Sequence, residues 1–351
     1  MYQLKIGNKI INKNSPIFII AEAGVNHNGS LDMGKKLIDV AVRAKADAVK
    51  FQTFIADNII IPDGPKAKYH IETTGSDKKL SWFDLLKSQE ISKKMHIKLI
   101  NYCKKKKITF LSTPYDNDSA LLLYKLNIKA FKVASTDNDN YPFISFLKKF
   151  RKPIILSTAM SNFDEVEKAY KLLKSSNFKN FGIMQCTGNY PTKIENVNLN
   201  VIDVYNKKFK CPIGFSDHTQ DATSAIASVG KGVKIIEKHF TLNRKLKGPD
   251  HRMSLEPIEL EKFVKKIRQA EKALGSNKKF VIKSETANRR KLKKSLVSSF
   301  FIAKGQKITR NLISIKRPAY GLRPIDLTSI LGKKAKKNIK KNTVLKKGMF
   351  K

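Results

Sequence analysis

The chain has 351 residues, of which 41% are hydrophobic, so it can bury a sizeable core and is not a disordered polymer. No apolar run approaches the roughly 18 residues that a membrane helix needs, and the N-terminal stretch lacks a signal-peptide core, so we expect a cytoplasmic protein without membrane contact. The formal net charge of +41 leaves two interpretations open, a polyanion-binding protein or a lysine-rich solvated surface.

Short apolar or β-branched runs recur along the chain, and each is followed by a polar cluster and an amphipathic, helix-like segment. Their near-continuous apolar character is typical of strands buried on both faces of a parallel sheet. We predict eight such strands, at residues 17–24, 47–52, 108–113, 130–135, 153–158, 181–186, 212–216 and 233–239. Eight units favour an α/β fold of the closed (β/α)8 TIM-barrel type. A doubly wound sheet is the alternative, although the chain has no GxGxxG turn.

The connection after the second predicted strand is unusually long. It contains the segment HIETTGSDKKLSWFDLLKSQE with the only tryptophan, Trp82. Long insertions at the top of a barrel are often lids over the site. A surface excursion anchored by Trp82 is an equally good interpretation.

From residue 286 the pattern changes to short strands and turns, so we predict a small β-rich domain at 286–351 behind a catalytic barrel at 1–285. From Ala287 to Lys351 there are 20 Lys and Arg against one acid, Asp326. Such a domain could bind a polyanion through counterion release. Because no recognised nucleic-acid motif or aromatic interleaving accompanies the lysines, we interpret them as solvated surface and expect no specific nucleic-acid partner.

In a TIM barrel the catalytic groups come from the C-terminal ends of the strands, and here those ends are unusually polar. The ammonium groups of Lys50 and Lys132, with several hydroxyls, would suit a phosphate and a carboxylate. The hydroxyls are those of Thr113, Ser135, Ser157 and Ser216. Each hydroxyl alone is a weak signal, since Ser and Thr also cap helices at such positions. Lys132 could instead form a Schiff base, as in an aldolase.

Two of the six histidines end the last two predicted strands in matched positions. His218 follows GFSD and His239 follows IIEK, so both imidazoles could converge on one divalent ion. A metal held in this way polarises a carbonyl oxygen as a Lewis acid. His70 and His96 are expected at the surface, and the role of His251 stays open.

Nine ordered motifs at these strand ends resemble those of the N-acetylneuraminate (sialic acid) synthases and their legionaminic and pseudaminic acid relatives. The motifs are IAEAGVNHNG, VKFQTF, FLSTPYD, FKVAS, PIILSTAM, QCTGNYPT, GFSDHT, IEKHFT and GPDHRMSLEP. The tail, KKSLVSSFFIAKGQKIT followed by NLISIKRPAYGL, resembles the antifreeze-like (SAF) domain of that family. The resemblance covers nearly the whole chain.

The resemblance implies a transferase that adds the methylene carbon of phosphoenolpyruvate to the aldehyde of an open-chain amino-sugar such as N-acetylmannosamine. Water attacks the pyruvyl carbon and phosphate leaves by C–O cleavage, which gives a nonulosonic acid. A diacetamido-trideoxy hexose, as in legionaminic or pseudaminic acid synthesis, is the alternative acceptor. The implied cofactor is a divalent metal, Mn²⁺ in first place with Mg²⁺ or Co²⁺ as alternatives.

The resemblance also assigns roles to residues. Phosphoenolpyruvate would be held by Lys50, Thr113, Lys132, Ser135, Ser157 and Ser216. The metal would be held by His218 and His239. The sugar would be contacted by Glu22, Gln52, Tyr190 and Asp250, with Glu22 as a candidate for proton transfer. Arg317 would reach the N-acetyl group from a second subunit, which implies a domain-swapped homodimer.

Two departures from the family pattern lie near the substrate. Many members have Gly-Glu after the serine that matches Ser135, whereas this chain has Thr136 and Asp137. Asp137 keeps the carboxylate one methylene shorter and remains a catalytic candidate. In sialic acid synthases an Asn can follow the CT step. Here Gly188 stands in that place, and Asn189, the next residue, is the substrate-binding candidate.

Overall fold

A computed structural model describes residues 2–76 and 79–351 of the chain. Asp77 and Lys78, which belong to the predicted insertion, lie outside the described residues. The fold divides into two compact units, Met1–Gly275 and Ser276–Lys351. This division falls ten residues before the predicted boundary, because the last barrel helix ends at Leu274 and the exposed residues behind it group with the second unit.

The described part of the first unit forms a closed barrel of eight parallel strands, which confirms the predicted TIM barrel. A short antiparallel hairpin, which the sequence did not reveal, precedes it and consists of β1 (Leu4–Ile6) and β2 (Lys9–Ile11). The barrel strands are β3 (Phe18–Gly24), β4 (Ala48–Thr53), β5 (Thr109–Pro114), β6 (Phe131–Val133), β7 (Ile154–Ser157), β8 (Phe181–Gln185), β9 (Ile213–Asp217) and β10 (Ile235–His239). They follow one another around the barrel, and β10 pairs with β3 to close it.

Helices connect the strands and cover the outside of the barrel. They are α1 (Leu31–Arg43), α2 (Ala56–Ile59), α3 (Lys68–Thr74), α4 (Trp82–Gln89), α5 (Lys93–Lys106), α6 (Asn117–Lys125), α7 (Tyr141–Lys149), α8 (Phe163–Lys174), α9 (Asn200–Lys208), α10 (Thr223–Gly230) and α11 (Pro257–Leu274). Several helices begin at a residue whose side chain accepts a hydrogen bond from a backbone N–H of the first turn. At the start of α8, for example, Asn162 and Glu165 form a capping box. Residues close to each helix start therefore help to define where the helix begins.

The barrel core has two parts because strand side chains alternate between the two faces. Outward apolar side chains such as Ile19, Val49 and Ile236 pack against the helices. Inward apolar side chains form a layer at the amino-terminal end, where the hairpin contributes Leu4, Ile6 and Ile11. The other members of this layer are Phe18, Ile20, Ala48, Leu111, Ala130, Ile155, Met184 and Ile235. The hairpin thus seals one end of the barrel.

The insertion after β4 contains α3 and α4, which are joined by a ring contact. The ring centroids of His70 and Trp82 lie 5.1 Å apart, so Trp82 anchors the insertion internally. The predicted surface positions of His70 and His96 are wrong. His70 is buried beside Trp82, and His96 is buried because α5 turns its apolar face, with Leu99, towards the barrel. The many lysines of α5 obscure this apolar face in the sequence.

The second unit has its own small core. It contains α12 (Thr286–Leu292) and the antiparallel pair β11 (Ser295–Ser298) and β12 (Ile313–Lys316). Its core comprises Leu296, Ile302, Ile308, Ile313, Ile330, Ala335, Ile339, Leu345 and Phe350. Among the described residues, we find no helix that combines the length and the apolar character required to cross a membrane.

Candidate active site

Strand alternation decides which polar side chains enter the barrel. In β10, Glu237 and His239 share the inward face with Ile235, whereas Lys238 faces the helices. Directly above the inward apolar layer, each strand contributes one buried side chain to a ring that we call the polar ring. Its members are Glu22, Lys50, Thr113, Lys132, Ser157, Cys186, Ser216 and Glu237. The residues predicted to bind a phosphate and a carboxylate therefore lie together in this ring, except Ser135.

Two ammonium groups and two carboxylates make contact in the polar ring. Lys50 Nζ lies 3.0 Å from Glu22 Oε2 and 3.6 Å from Glu237 Oε2, and it donates to Thr113 Oγ1 at 2.9 Å. Lys132 Nζ donates to Ser157 Oγ at 2.5 Å and lies 3.8 Å from Glu237 Oε1. Glu237 consequently links both lysines, and it is the one ring carboxylate close to both.

Burial and neighbouring charge push the pKa values of the two carboxylates apart. Burial, helped by the charge of Glu237, raises the pKa of Glu22 to about 8 despite the adjacent Lys50. Burial opposes ionisation of Glu237 as well, but Lys132 and Lys50 outweigh it and lower the pKa of that carboxyl to about 2. Burial lowers the pKa of the Lys132 ammonium; with both lysines protonated, the ring carries two positive charges against one negative charge. Such a site favours an anion.

Ser216 and Ser135 differ in their surroundings. Ser216 Oγ donates to Glu237 Oε1 at 3.0 Å and lies 3.3 Å from His218 Nε2, so it joins the polar ring to the imidazoles. Ser135 Oγ accepts from the backbone N–H of Ala159 at 2.9 Å and lies 3.3 Å from Cys186 Sγ. Ser135 thus stands at the edge of the ring, next to its Cys186 member.

The imidazoles of His218 and His239 face each other, as the strand ends predicted. Their ring centroids lie 5.6 Å apart, and the Tyr190 ring lies 4.3 Å from that of His218. Nδ1 of His218 is 2.6 Å from the carbonyl oxygen of Thr187, which must accept a hydrogen bond. That contact fixes the proton on Nδ1 and leaves a lone pair on Nε2. Nδ1 of His239 has no hydrogen-bond partner.

These two imidazoles fit a divalent transition metal. Burial lowers the pKa of His218 to about 4 and that of His239 well below its usual value, so both rings are neutral and can bind a cation. No cluster of three or more His, Cys, Asp or Glu with ligand geometry occurs in the part of the chain that the structure describes. Two protein ligands would therefore leave the remaining coordination positions to substrate and water.

Acidic and amide groups lie beside the imidazoles around Gly24. A Cβ atom at this glycine would come within 3.2 Å of Asp250 Oδ2, 3.4 Å of Gln52 Nε2 and 3.5 Å of Glu22 Oε1. Burial raises the pKa of Asp250 to about 6, and its Oδ2 lies 3.8 Å from His239 Nδ1. Three of the four predicted sugar contacts thus converge on Gly24, whose backbone φ of +52° favours glycine.

The role of His251, left open by the sequence, becomes visible in the loop that carries Asp250. His251 is buried, with Nδ1 2.6 Å from Thr241 Oγ1 and Nε2 3.2 Å from Asn28 Oδ1. Neither partner belongs to the polar ring or to the imidazole pair. We conclude that His251 holds the loop in place and contacts no member of the polar ring.

The structure places three candidates apart from the polar ring. Asp137 is buried in the turn after β6, where Asn140 Nδ2 donates to it at 2.9 Å and burial raises its pKa. The side chain of Asn189 is exposed, and Arg317 is an exposed residue of the second unit. Their proposed roles therefore stay predictions.

Glu237 is a ring residue to which the sequence analysis assigns no role, although it lies close to both lysines. Its spacing of two from His239 carried the signal, because both side chains of a strand at that spacing enter the same face.

A cavity of about 110 Å³ opens beside the imidazoles at the mouth of the barrel. It is lined by side chains of α3 and of the loops after β8, β9 and β10, namely Tyr69, Glu72, Thr73, Tyr190, Pro191, Gln220, Pro249, Arg252 and Met253. The Tyr69 and Tyr190 rings lie 5.2 Å apart, so the insertion reaches the site. The lining is mixed: five of these residues are aromatic or apolar, and four are polar or charged.

Family models match both units of the chain. The NeuB family model matches residues 37–279, and the SAF domain model matches residues 293–351. The chain belongs to the NeuB family. The resemblance carried by the nine motifs and the tail is therefore confirmed, and with it the assignment of the second unit to the SAF type.

Several proteins similar to this NeuB-family chain are named as synthases or synthetases. It is 42% identical to the N,N'-diacetyllegionaminic acid synthase of Campylobacter jejuni, over 93% of this chain and 98% of the relative. It is 35% identical to the human N-acetylneuraminate-9-phosphate synthase, over 91% of this chain and 88% of the relative. The N-acetylneuraminic acid synthetase of Leptospira borgpetersenii, solved with citrate, superposes with a TM-score of 0.71 at 33% identity, covering 82% of this chain and 94% of that one.

Proposed function

We propose that this protein is a cytoplasmic, phosphoenolpyruvate-dependent synthase of a nonulosonic acid. The observation that carries the proposal is the combination of a cationic polar ring and two neutral imidazoles at one end of a NeuB-family barrel. Relatives named as legionaminic, pseudaminic and N-acetylneuraminate-9-phosphate synthases support this class of product. In the reaction, C3 of phosphoenolpyruvate bonds to the aldehyde carbon, water adds at C2, and the C2–O bond breaks to release phosphate.

The polar ring would hold phosphoenolpyruvate. Lys50 and Lys132 supply the positive charge, and Thr113, Ser157 and Ser216 supply hydroxyls that can donate to phosphate or carboxylate oxygens. Ser135 would complete the cradle at its edge. Because these groups are buried, they need little reorganisation when the anion binds, and their electrostatic effect is stronger than in water.

His218 and His239 would hold the divalent metal, with Mn²⁺ the leading candidate. When bound, it would supply Lewis-acid polarisation of the acceptor aldehyde. The chain's own contribution is to orient the two rings and to move protons. Glu22, whose pKa of about 8 keeps it largely protonated at neutral pH, can donate to an oxygen that gains negative charge. Asp137, whose side chain is one methylene shorter than the glutamate of many family members, is the candidate for activating the water.

The mouth cavity bears on the choice of acceptor. Its lining includes Tyr69, Tyr190 and Met253, which suit a neutral acetamido or deoxy substituent, and also the charged residues Glu72 and Arg252. This lining, with the similarity to the legionaminic acid synthase, favours a diacetamido-trideoxy hexose over N-acetylmannosamine. Arg317 would contact the 2-acetamido group from the second subunit of a domain-swapped homodimer.

The test incubates the purified protein with Mn²⁺, phosphoenolpyruvate and a panel of amino-sugars, and measures phosphate release and product mass. We expect phosphate only when both substrates are present, and its loss with a chelator or in His218→Ala. Phosphoenolpyruvate labelled with ¹⁸O at the bridging oxygen should place the label in phosphate. His96→Gln, a buried histidine outside the site, is the matched control and should keep its activity.

Two results would refute parts of the proposal. Phosphate production that ignores both the chelator and His218→Ala would rule out the role of the metal. Borohydride trapping of pyruvate on Lys132 would favour the Schiff-base aldolase instead.

A further inference from the structure

Lys238 and Asp217 form a buried ion pair directly behind the two imidazoles. Lys238 Nζ lies 2.9 Å from Asp217 Oδ2, and the side chains are 1% and 0% exposed. The two residues are register partners in β10 and β9, one step from Glu237 and Ser216, which are also partners. Because side chains alternate, the ion pair faces the helices while its neighbours face the barrel interior. The Lys238 ammonium accordingly lies 5.8 Å from the Phe263 ring of α11.

The pair holds the chain on both sides of His218. Besides Asp217, the Lys238 ammonium donates to the carbonyl oxygen of Thr219 and, at 3.0 Å, to that of Asp221. Asp217 Oδ1 in turn accepts from the N–H and the hydroxyl of Thr219, at 2.9 and 2.8 Å. The segment from Asp217 to Asp221 therefore wraps around one ammonium group.

His218 depends on such an anchor more than His239 does. His239 is part of β10 and is paired with Glu22 of β3, so the barrel ladder fixes its backbone. His218 follows β9, whose pairing with β10 ends at Asp217. Beyond that point, the contacts of the turn hold the His218 backbone: the Lys238 contacts to its neighbours and the N–H of Thr192, which donates to the His218 carbonyl at 2.8 Å.

Stability alone does not account for the pair. A buried ion pair costs desolvation that its attraction barely offsets, and well-packed apolar side chains of similar volume often stabilise as much or more. The surrounding outer layer is apolar, with Phe215, Ile236 and Phe263 in its core. What an ion pair adds is a fixed direction and distance between two chain segments.

We infer that Lys238 and Asp217 are positioning residues, which set the distance between the His218 and His239 imidazoles for binding one divalent cation. This inference rests on the proposed function, since it assigns the purpose of the pair to the metal-binding imidazoles. Groups that orient metal ligands typically change metal affinity 10- to 100-fold when they are removed.

The test compares Mn²⁺ affinity, measured by electron paramagnetic resonance titration, in wild type and in the double variant Asp217→Asn/Lys238→Met. The double change removes both charges and keeps both shapes, so it avoids the unpaired buried charge that a single change would leave. We expect a folded double variant to bind Mn²⁺ roughly 10- to 100-fold more weakly. Its kcat should fall while its KM for phosphoenolpyruvate stays near that of wild type, because the polar ring is intact.

The control is a partly exposed ion pair between Arg268 of α11 and Asp47, which lie 2.7 Å apart near the start of β3. Asp47→Asn/Arg268→Met should lower the melting temperature yet leave Mn²⁺ affinity unchanged. If Asp217→Asn/Lys238→Met does not fold, Lys238→Arg takes its place: it keeps both charges of the buried pair but changes the geometry of the contact, so a smaller loss of Mn²⁺ affinity is expected.

Two outcomes would overturn the inference, and they differ. Wild-type Mn²⁺ affinity in the folded double variant would refute the positioning role and leave the proposed function standing. Failure of the wild-type protein itself to bind Mn²⁺ would refute the metal part of the proposed function, and the positioning role with it.

Discussion

At the scale of single residues, the site is governed by two carboxylates that share a pair of lysines. Glu237 lies within 4 Å of both ammonium groups and stays ionised. Glu22 contacts one of them and is destabilised as an anion by burial. The two buried carboxyl groups therefore have different pKa values, so that Glu22 is an acid and Glu237 a carboxylate at neutral pH. Sites that transfer protons use such a pair.

The pKa of Glu22 predicts a pH-dependent stability that Glu22→Gln removes. The pKa rises from 4.5 to about 8 on folding, so the native state binds the additional proton, and the stability it contributes is lost as pH rises towards and through 8. Relative to the variant, wild type should lose roughly 3 kcal/mol of stability between about pH 6 and about pH 9, because each pH unit below the folded pKa costs about 1.4 kcal/mol. Urea unfolding at several pH values measures the difference.

Glu167→Gln serves as the control for this measurement. Glu167 lies on the exposed side of α8 and pairs with Lys171, so its variant should follow the pH profile of wild type. A constant difference between wild type and Glu22→Gln across the pH range would show that Glu22 titrates normally in the folded protein.

At the scale of elements, the strands are limited by space inside the barrel. Gly214 in β9 faces the inward apolar layer, where a Cβ atom would come within 2.9 Å of Ile235 Cβ, of the Ile235 carbonyl oxygen and of Met184 Cγ. The two Ile235 atoms belong to β10, which cannot move away without losing its hydrogen bonds to β9. The glycine therefore lets β9 and β10 approach closely.

Gly214→Ala should destabilise the barrel by about 1–3 kcal/mol, since an added methyl group overpacks a rigid layer. Gly230→Ala, at the end of α10 with no atom within 4 Å of the new Cβ, should stabilise by up to about 1 kcal/mol. Urea midpoints of the two variants provide the comparison. Equal effects of the two substitutions would contradict the close approach of β9 to β10.

The elements also show how far the sequence leads. All eight barrel strands were predictable, because runs such as PIILST and FGIMQC are apolar on both faces. The hairpin was not, since β1 and β2 have three residues each and include lysines. Strand alternation brought Lys50, Lys132 and the two imidazoles together as expected, but it could not show that Ser135 turns towards Ala159. Such contacts depend on loops whose geometry the residue pattern does not encode.

At the scale of the whole molecule, two independent cores are joined by an exposed segment. The residues from Gly275 to Lys294 are exposed, and this stretch contains Lys278, Lys279 and Lys283. In the second unit, Lys307 is bridged to Lys334, and the backbone of Lys334 bonds that of Lys351. Like charges brought together in this way repel, so dissolved anions should stabilise that unit.

Limited trypsin treatment should cleave first in the exposed segment between the units. Mass spectrometry should find the earliest cuts after Lys278, Lys279 or Lys283. The isolated barrel fragment should keep Mn²⁺ binding, because both imidazoles belong to it, and should lose synthase activity if Arg317 completes the acceptor site. Full activity of the separated barrel would rule out that role of Arg317.

The hairpin of β1 and β2 has a further consequence for how the proposed reaction runs. Because Leu4, Ile6 and Ile11 seal the amino-terminal end, that end offers no passage in the part of the chain described here. Substrates and products would then all enter and leave at the carboxyl-terminal end of the barrel. Phosphate or sugar acid that is still bound would block the next substrates, so the rate of product release would limit turnover.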